Sequence, residues 1–245
     1  MDIGKAFTFV GDDPKWVSKL AIGGGLVLAM TLLIFTVVGW LFPLAIIFGY
    51  LMQVTRNVIA GEQRTLPEWE NWGLLMSDGF KAFGVVLILA LPILLVGLLT
   101  SVPAAVLNAT SGGEGSAAGV GLSLLGLLGA CLLIPLSVLY ALLFPIALGR
   151  YAATGNIGAS LRFGELFSIL RGNFVNYLLI FLLTGFVTGT IAQLGVIACV
   201  IGVFFTIFYA YLVNHHLYGQ AYAKAVGTQP GLAQSQQPYP QSFPY

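Results

Sequence analysis

The chain has 245 residues, 58% of them hydrophobic and only 8% charged, with a net charge of +1 and a mean hydropathy of +0.94. Soluble domains carry roughly 25% charged residues, so this chain lacks the groups that cover a water-facing globule, and its charge balance excludes a nucleic-acid patch or an acidic tail. Two histidines and two cysteines, Cys131 and Cys199, both inside apolar runs, leave no disulfide framework and little room for histidine-based catalysis.

In chain order, Asp2, Asp12 and Asp13 precede the first apolar run. A secretory signal opens with positive charge instead, so the first hydrophobic segment is expected to stay in the protein. Asp13-Pro14-Lys15-Trp16-Val17-Ser18-Lys19 reads as an amphipathic lead-in, and residues 20–55 then contain no Asp, Glu, Lys or Arg. One straight helix over that run would reach roughly 54 Å at 1.5 Å per residue, against a hydrocarbon core about 30 Å thick. Two short helices are expected instead, turning near Gly39-Trp40-Leu41-Phe42-Pro43.

The polar stretch that follows centres on Leu66-Pro67-Glu68-Trp69-Glu70-Asn71-Trp72. Pro67 can open a helix, and Glu68 and Glu70 then suit its positive end. Trp69 and Trp72 would share a face, either as interfacial anchors or as a cytoplasmic docking surface. A second lead-in, Asp78-Gly79-Phe80-Lys81, precedes residues 82–149, where Glu114 is the one charge. This run fits two spans broken at the glycine-rich Asn108–Ser116. Pro92, Pro103, Pro135 and Pro145 interrupt it, and kinked helices can line a substrate path.

The third lead-in places Phe163, Leu166, Phe167, Leu170 and Phe174 on one helical face, with Arg162, Glu165 and Arg171 elsewhere. Residues 172–223 carry no charge and fit two spans turning around Gln193-Leu194-Gly195. His215 and His216 close the last span. Being adjacent, they point apart and cannot share one metal face, so they read as interfacial polar residues. Residues 228–245, rich in Pro, Gln and Tyr, are expected to be a disordered cytoplasmic tail.

Three hairpins, at about 20–55, 82–149 and 174–216, would put all ten basic residues on one side, as the positive-inside rule requires. The expected architecture is all-α and integral to the membrane. About six transmembrane helices form three hairpins with interfacial lead-in helices, in a polytopic domain over residues 1–227, with both termini cytoplasmic at the cell membrane. The flanks hint at a repeat, since Arg56 to Gly61 and Arg150 to Gly155 share one spacing. The exit at Asn214-His215-His216 matches poorly.

Asp13-Pro14-x-Trp16-x-x-Lys19, Gly49-Tyr50, Gly61-Glu62, Leu66-Pro67-Glu68-Trp69-x-x-Trp72 and Asp78-Gly79-Phe80-Lys81 carry a resemblance. Over about residues 10–85 the chain resembles an uncharacterised, domain-of-unknown-function family of prokaryotic multi-pass membrane proteins. The resemblance implies an integral membrane protein and no assigned activity.

No catalytic set, cofactor loop or metal-ligand spacing stands out, and an enzyme is not expected. The candidate interaction residues are Trp16, Lys19, Arg56, Pro67, Glu68, Trp69, Trp72, Asp78, Lys81, Arg150 and Arg171. The expected partners are the lipid bilayer and a protein docking on the cytoplasmic loop or tail, with no nucleic acid and no pattern that sets an oligomeric state. The expected role is a membrane interaction or accessory protein; the alternative is a permease-like transporter or channel. A polar cavity at mid-membrane depth would favour transport, and a dry or lipid-filled bundle would favour the accessory role.

Overall fold

The computed structural model describes residues 1–36, 38–110, 117–191, 195–196 and 199–227. Among the described residues the chain is helical, with no strand. The helices are α1 (Ile3–Thr8), α2 (Trp16–Leu32), α3 (Leu41–Ala60), α4 (Trp72–Thr110), α5 (Ala117–Thr154), α6 (Ile157–Ser160), α7 (Phe163–Gly172), α8 (Phe174–Phe186) and α9 (Cys199–Gly227), with a π-helical segment, Val187–Ile191, continuing α8. Segments Trp16–Phe35, Leu41–Ala60, Trp72–Pro103, Gly126–Thr154 and Phe174–Ile191 are long and apolar enough to cross a membrane. These five helices fit a membrane-embedded protein.

Named contacts fix the directions of the helices. Asp78 meets Tyr151 while Thr100 meets Gly129, so moving along α4 moves backwards along α5. Thr184 reaches Tyr218 and Asn214 reaches Thr188, which sets α8 and α9 antiparallel. Thr55 meets His215 and Val58 meets Gly219, so α3 and α9 run parallel.

The α3–α4 crossing depends on two glycines. A Cβ on Gly79 would lie 1.7 Å from the Ala45 carbonyl oxygen, and one on Gly49 would lie 2.0 Å from that of Leu75. The backbones touch there, and no side chain fits between them. Glycine also ends α3 and α5, where Gly61 (φ 73°) and Gly155 (φ 65°) take left-handed conformations that side chains disfavour.

The core is crowded toward one end of the bundle. Tyr50, Tyr151, Tyr177, Tyr222, Ile146, Leu166 and Ile169 are fully buried there. Farther along, α4 and α5 expose Leu91, Leu94, Leu98, Leu99, Leu127, Leu132 and Ile134, and α8 exposes Leu178 and Leu182. Such a continuous apolar surface suits hydrocarbon rather than water.

The run 20–55 divides as expected, with the chain turning between Phe35 and Leu41. The lead-in helices need correction. The first is no separate helix, since Asp13-Pro14-Lys15 forms a bend and turn and Trp16 to Lys19 already belong to α2, and the second lies inside α4, which opens at Trp72 and holds Gly79 against α3. The third is a separate helix, α7, because the chain breaks at Asn173. Helix α4 continues through Thr110, past the expected break at Asn108, and the four prolines stay within α4 and α5. Glu114, Gln193, Leu194 and the tail lie outside the described residues.

Gly79→Ala and Gly49→Ala should each lower stability in detergent by about 1–3 kcal/mol, the usual cost of overpacking. Gly84→Ala, whose Cβ meets nothing within 4 Å, serves as control. Thermal unfolding checks this, and equal melting temperatures for all three variants would contradict the crossing.

Candidate functional site

Three ion-pair clusters gather Lys19, Glu68, Arg56, Asp78 and Arg150 from the charged candidates. In the first, Lys19 is 3% exposed and its ammonium meets Asp13 Oδ2 at 2.7 Å, Glu68 Oε1 at 3.1 Å and the Leu66 carbonyl at 3.2 Å. The tryptophan loop folds back over this point. Trp69 Nε1–H donates to the Lys19 carbonyl at 3.1 Å, its ring stacks on Tyr50 at 3.9 Å, and the Tyr50 hydroxyl donates to the Pro67 carbonyl at 3.0 Å. Trp72 stacks outside Trp69 at 5.7 Å. Residues that carried the resemblance, far apart in the chain, therefore meet in one place.

In the second cluster Arg56 grips Asp78 with both terminal nitrogens, at 2.7 and 3.0 Å, and donates from Nε to the Ala152 carbonyl at 3.0 Å. The Tyr151 hydroxyl donates to Asp78 Oδ1 at 2.6 Å. In the third, Arg150 pairs with Glu165 and donates from Nε to the Ala159 carbonyl at 3.1 Å. The shared Arg-to-Gly spacing thus has a geometric counterpart. Each arginine sits one turn before a left-handed glycine, holds a later backbone carbonyl through Nε, and binds a carboxylate that follows in the chain.

Lys19, Asp78 and Arg150 are buried, while Trp16, Glu68, Trp72, Lys81 and Arg171 are exposed; Arg56, Pro67 and Trp69 lie between. Burial opposes ionisation of Asp13, but the Lys19 ammonium and the Lys15 backbone N–H outweigh it and hold the carboxyl below its ordinary 3.8. Burial likewise opposes ionisation of Glu165, and Arg162 and Arg150 bring its carboxyl below the ordinary 4.5.

His215 and His216 are buried rather than interfacial, which the sequence did not anticipate. As expected they point apart. His216 stacks on Phe9 at 4.3 Å and meets Gln220, whereas His215 Nδ1 lies 3.1 Å from Thr55 Oγ1. Gln220 also holds the chain start, through Asp2, at 2.7 and 2.9 Å.

Beside His215 lies a cavity of about 250 Å³, bounded by Met30, Leu44, Phe48, Leu51, Asn214 and Tyr218 among others. A second, more open cavity of about 420 Å³ adjoins it across Phe144, Thr184, Thr188 and Tyr218. The larger falls within the roughly 300–1,000 Å³ of small-molecule sites. The walls are mostly apolar, and the hydrogen-bonding groups gather where α8 faces α9. Among the described residues the lining contains no Asp, Glu, Lys or Arg. Sequence reasoning missed this site because Asn214 read as the exit of the last hairpin, and Thr184 and Thr188 carry no signal of their own in an apolar run. Among the described residues no group of three or more His, Cys, Asp or Glu could hold a metal.

A family model described as a protein of unknown function (DUF4013) matches residues 19–210. No curated protein and no solved structure matches the chain.

Asp78→Asn should cost about 3 kcal/mol, because it removes the carboxylate from a partly buried guanidinium whose side chain is 11% exposed, and the double variant R56M/D78L should recover most of that loss. Melting temperatures in detergent read this; a cost no larger than that of Glu68→Gln would contradict it. A folded-state pKa below the ordinary value means that Asp13 contributes its full stability above pH 3.8 and loses it as pH falls through the lower folded value. Asp13→Asn should therefore flatten the acid limb of the stability profile, and an unchanged limb would rule out this contribution.

Proposed function

The chain belongs to the DUF4013 family of proteins of unknown function, and from that premise we propose a multi-pass membrane accessory protein that binds a lipid-like ligand within the bilayer. In this reading α2, α3, α4, α5, α8 and α9 form six spans in three hairpins. The ion-paired end and both termini are cytoplasmic, and the membrane is the cell membrane. The observation that carries the reading is the division of the surface. The described charges gather with the ion pairs and their flanks, while α4, α5 and α8 present apolar side chains over their remaining length.

The cavity supports a binding role over ion-coupled transport. Coupling at membrane depth generally uses ionisable side chains, often acidic ones; among the described residues the lining holds no Asp, Glu, Lys or Arg, and His215 is its single imidazole. A permease-like path for a hydrophilic substrate would need a more polar wall. At the cytoplasmic end, exposed Trp16, Trp72, Lys81 and Arg171 are suited to lipid headgroups or to a docked protein.

Single cysteines in a chain cleared of Cys131 and Cys199 test the topology. Residues 40 and 112 should react with an impermeant maleimide from the outside of intact cells, and residue 230 only after permeabilisation. Labelling of residue 40 from the same side as 230 would refute the first hairpin.

A further inference from the structure

We propose that the paired cavities hold an uncharged amphiphile, a hydrocarbon chain carrying a hydroxyl head, which enters sideways from the bilayer between α5 and α8. This rests on the membrane reading above and specifies the ligand. Asn214 is 4% exposed. Its Nδ2 donates to Thr188 Oγ1 at 3.1 Å, while its Oδ1 is buried without a partner. Turning the amide over exchanges the two atoms and again leaves one unmatched. A buried polar atom without a partner is costly, and a ligand hydroxyl can satisfy either orientation, since it both donates and accepts.

His215 adds a second polar point. The Thr55 hydroxyl donates to the Leu51 carbonyl at 2.9 Å. In the tautomer that keeps this bond, the ring Nδ1–H makes the 3.1 Å contact with Thr55 Oγ1 and Nε2 is left as an acceptor. Two polar groups side by side on α9 suit a head with more than one hydroxyl. A phosphate, carboxylate or ammonium head would find no opposite charge in the lining. The apolar walls at Met30, Leu44, Leu51 and Phe144 then take the chain.

The entrance is on the outer face of α8. Gly185 and Thr188 line the open cavity and are exposed, flanked by exposed Leu182 and Phe186. Thr188 belongs to the π-helical segment, a distortion that often marks functional sites. It links the entrance to Asn214.

The test uses full-length protein in phosphatidylcholine vesicles with two photoreactive probes of one chain length, a monoacylglycerol and a fatty acid. The monoacylglycerol should label residues 140–144, 181–188 or 211–218 and be displaced by unlabelled monoolein. Asn214→Leu should reduce that labelling about fivefold, the worth of one neutral hydrogen bond. Gly185→Trp fills the entrance from a position whose Cβ meets nothing within 4 Å; it should abolish labelling with the melting temperature unchanged. Equal labelling by the fatty acid, or labelling that survives both substitutions, overturns the ligand assignment. Labelling of Leu91–Leu99 on α4 without the cavity peptides also overturns it, while leaving the membrane reading intact. Failure of both probes to label that stretch of α4 would sink the membrane reading itself.

Discussion

Charge is scarce in this chain, and where it is buried it is paired. An isolated charge in a low-dielectric interior costs several kcal/mol, and a partner with further hydrogen bonds offsets that cost. Lys19, Arg56 and Arg150 each meet both a carboxylate and a backbone carbonyl. The remaining helix lengths are thereby free to be apolar.

The same clusters shape the fold around them. Asp78 links α3, α4 and α5 through Arg56 and Tyr151, next to the glycine crossing of α3 and α4. Lys19 ties α2 to the tryptophan loop, whose rings cover Tyr50 and reach Phe208 on α9. The chain start is held by Gln220. The ionic end is thus the clamp of the bundle. The cavity lies beside it, lined by Asn214 and His215 on α9 and by Thr188 of the π-helical segment opposite.

Much of this could be read from residue spacing alone. The long charge-free runs pointed to several apolar helices, and Gly39–Pro43 placed the division of the first run close to the start of α3 at Leu41. Two segments that carried the resemblance, from Asp13 to Lys19 and from Leu66 to Trp72, meet each other. Periodicity could not show that the first two lead-ins fuse with the following helices. That depends on Gly79 being held inside α4 by Ala45 of another helix, a tertiary contact with no local signature. Nor could it show that His215 and His216 are buried. Their flank resembles an interface, and Thr55 and Phe9, both remote in sequence, pack against them. The cavity was illegible for the same reason, since a polar atom without a partner is defined by what surrounds it.

The central claim is that hydrocarbon, not water, surrounds these helices. The most direct measurement is fractionation of the full-length chain after expression, with alkaline carbonate and urea washes before detergent is added. The account requires the protein to stay with the membranes through both washes and to enter solution with detergent alone. A monodisperse monomer recovered in detergent-free buffer would contradict it.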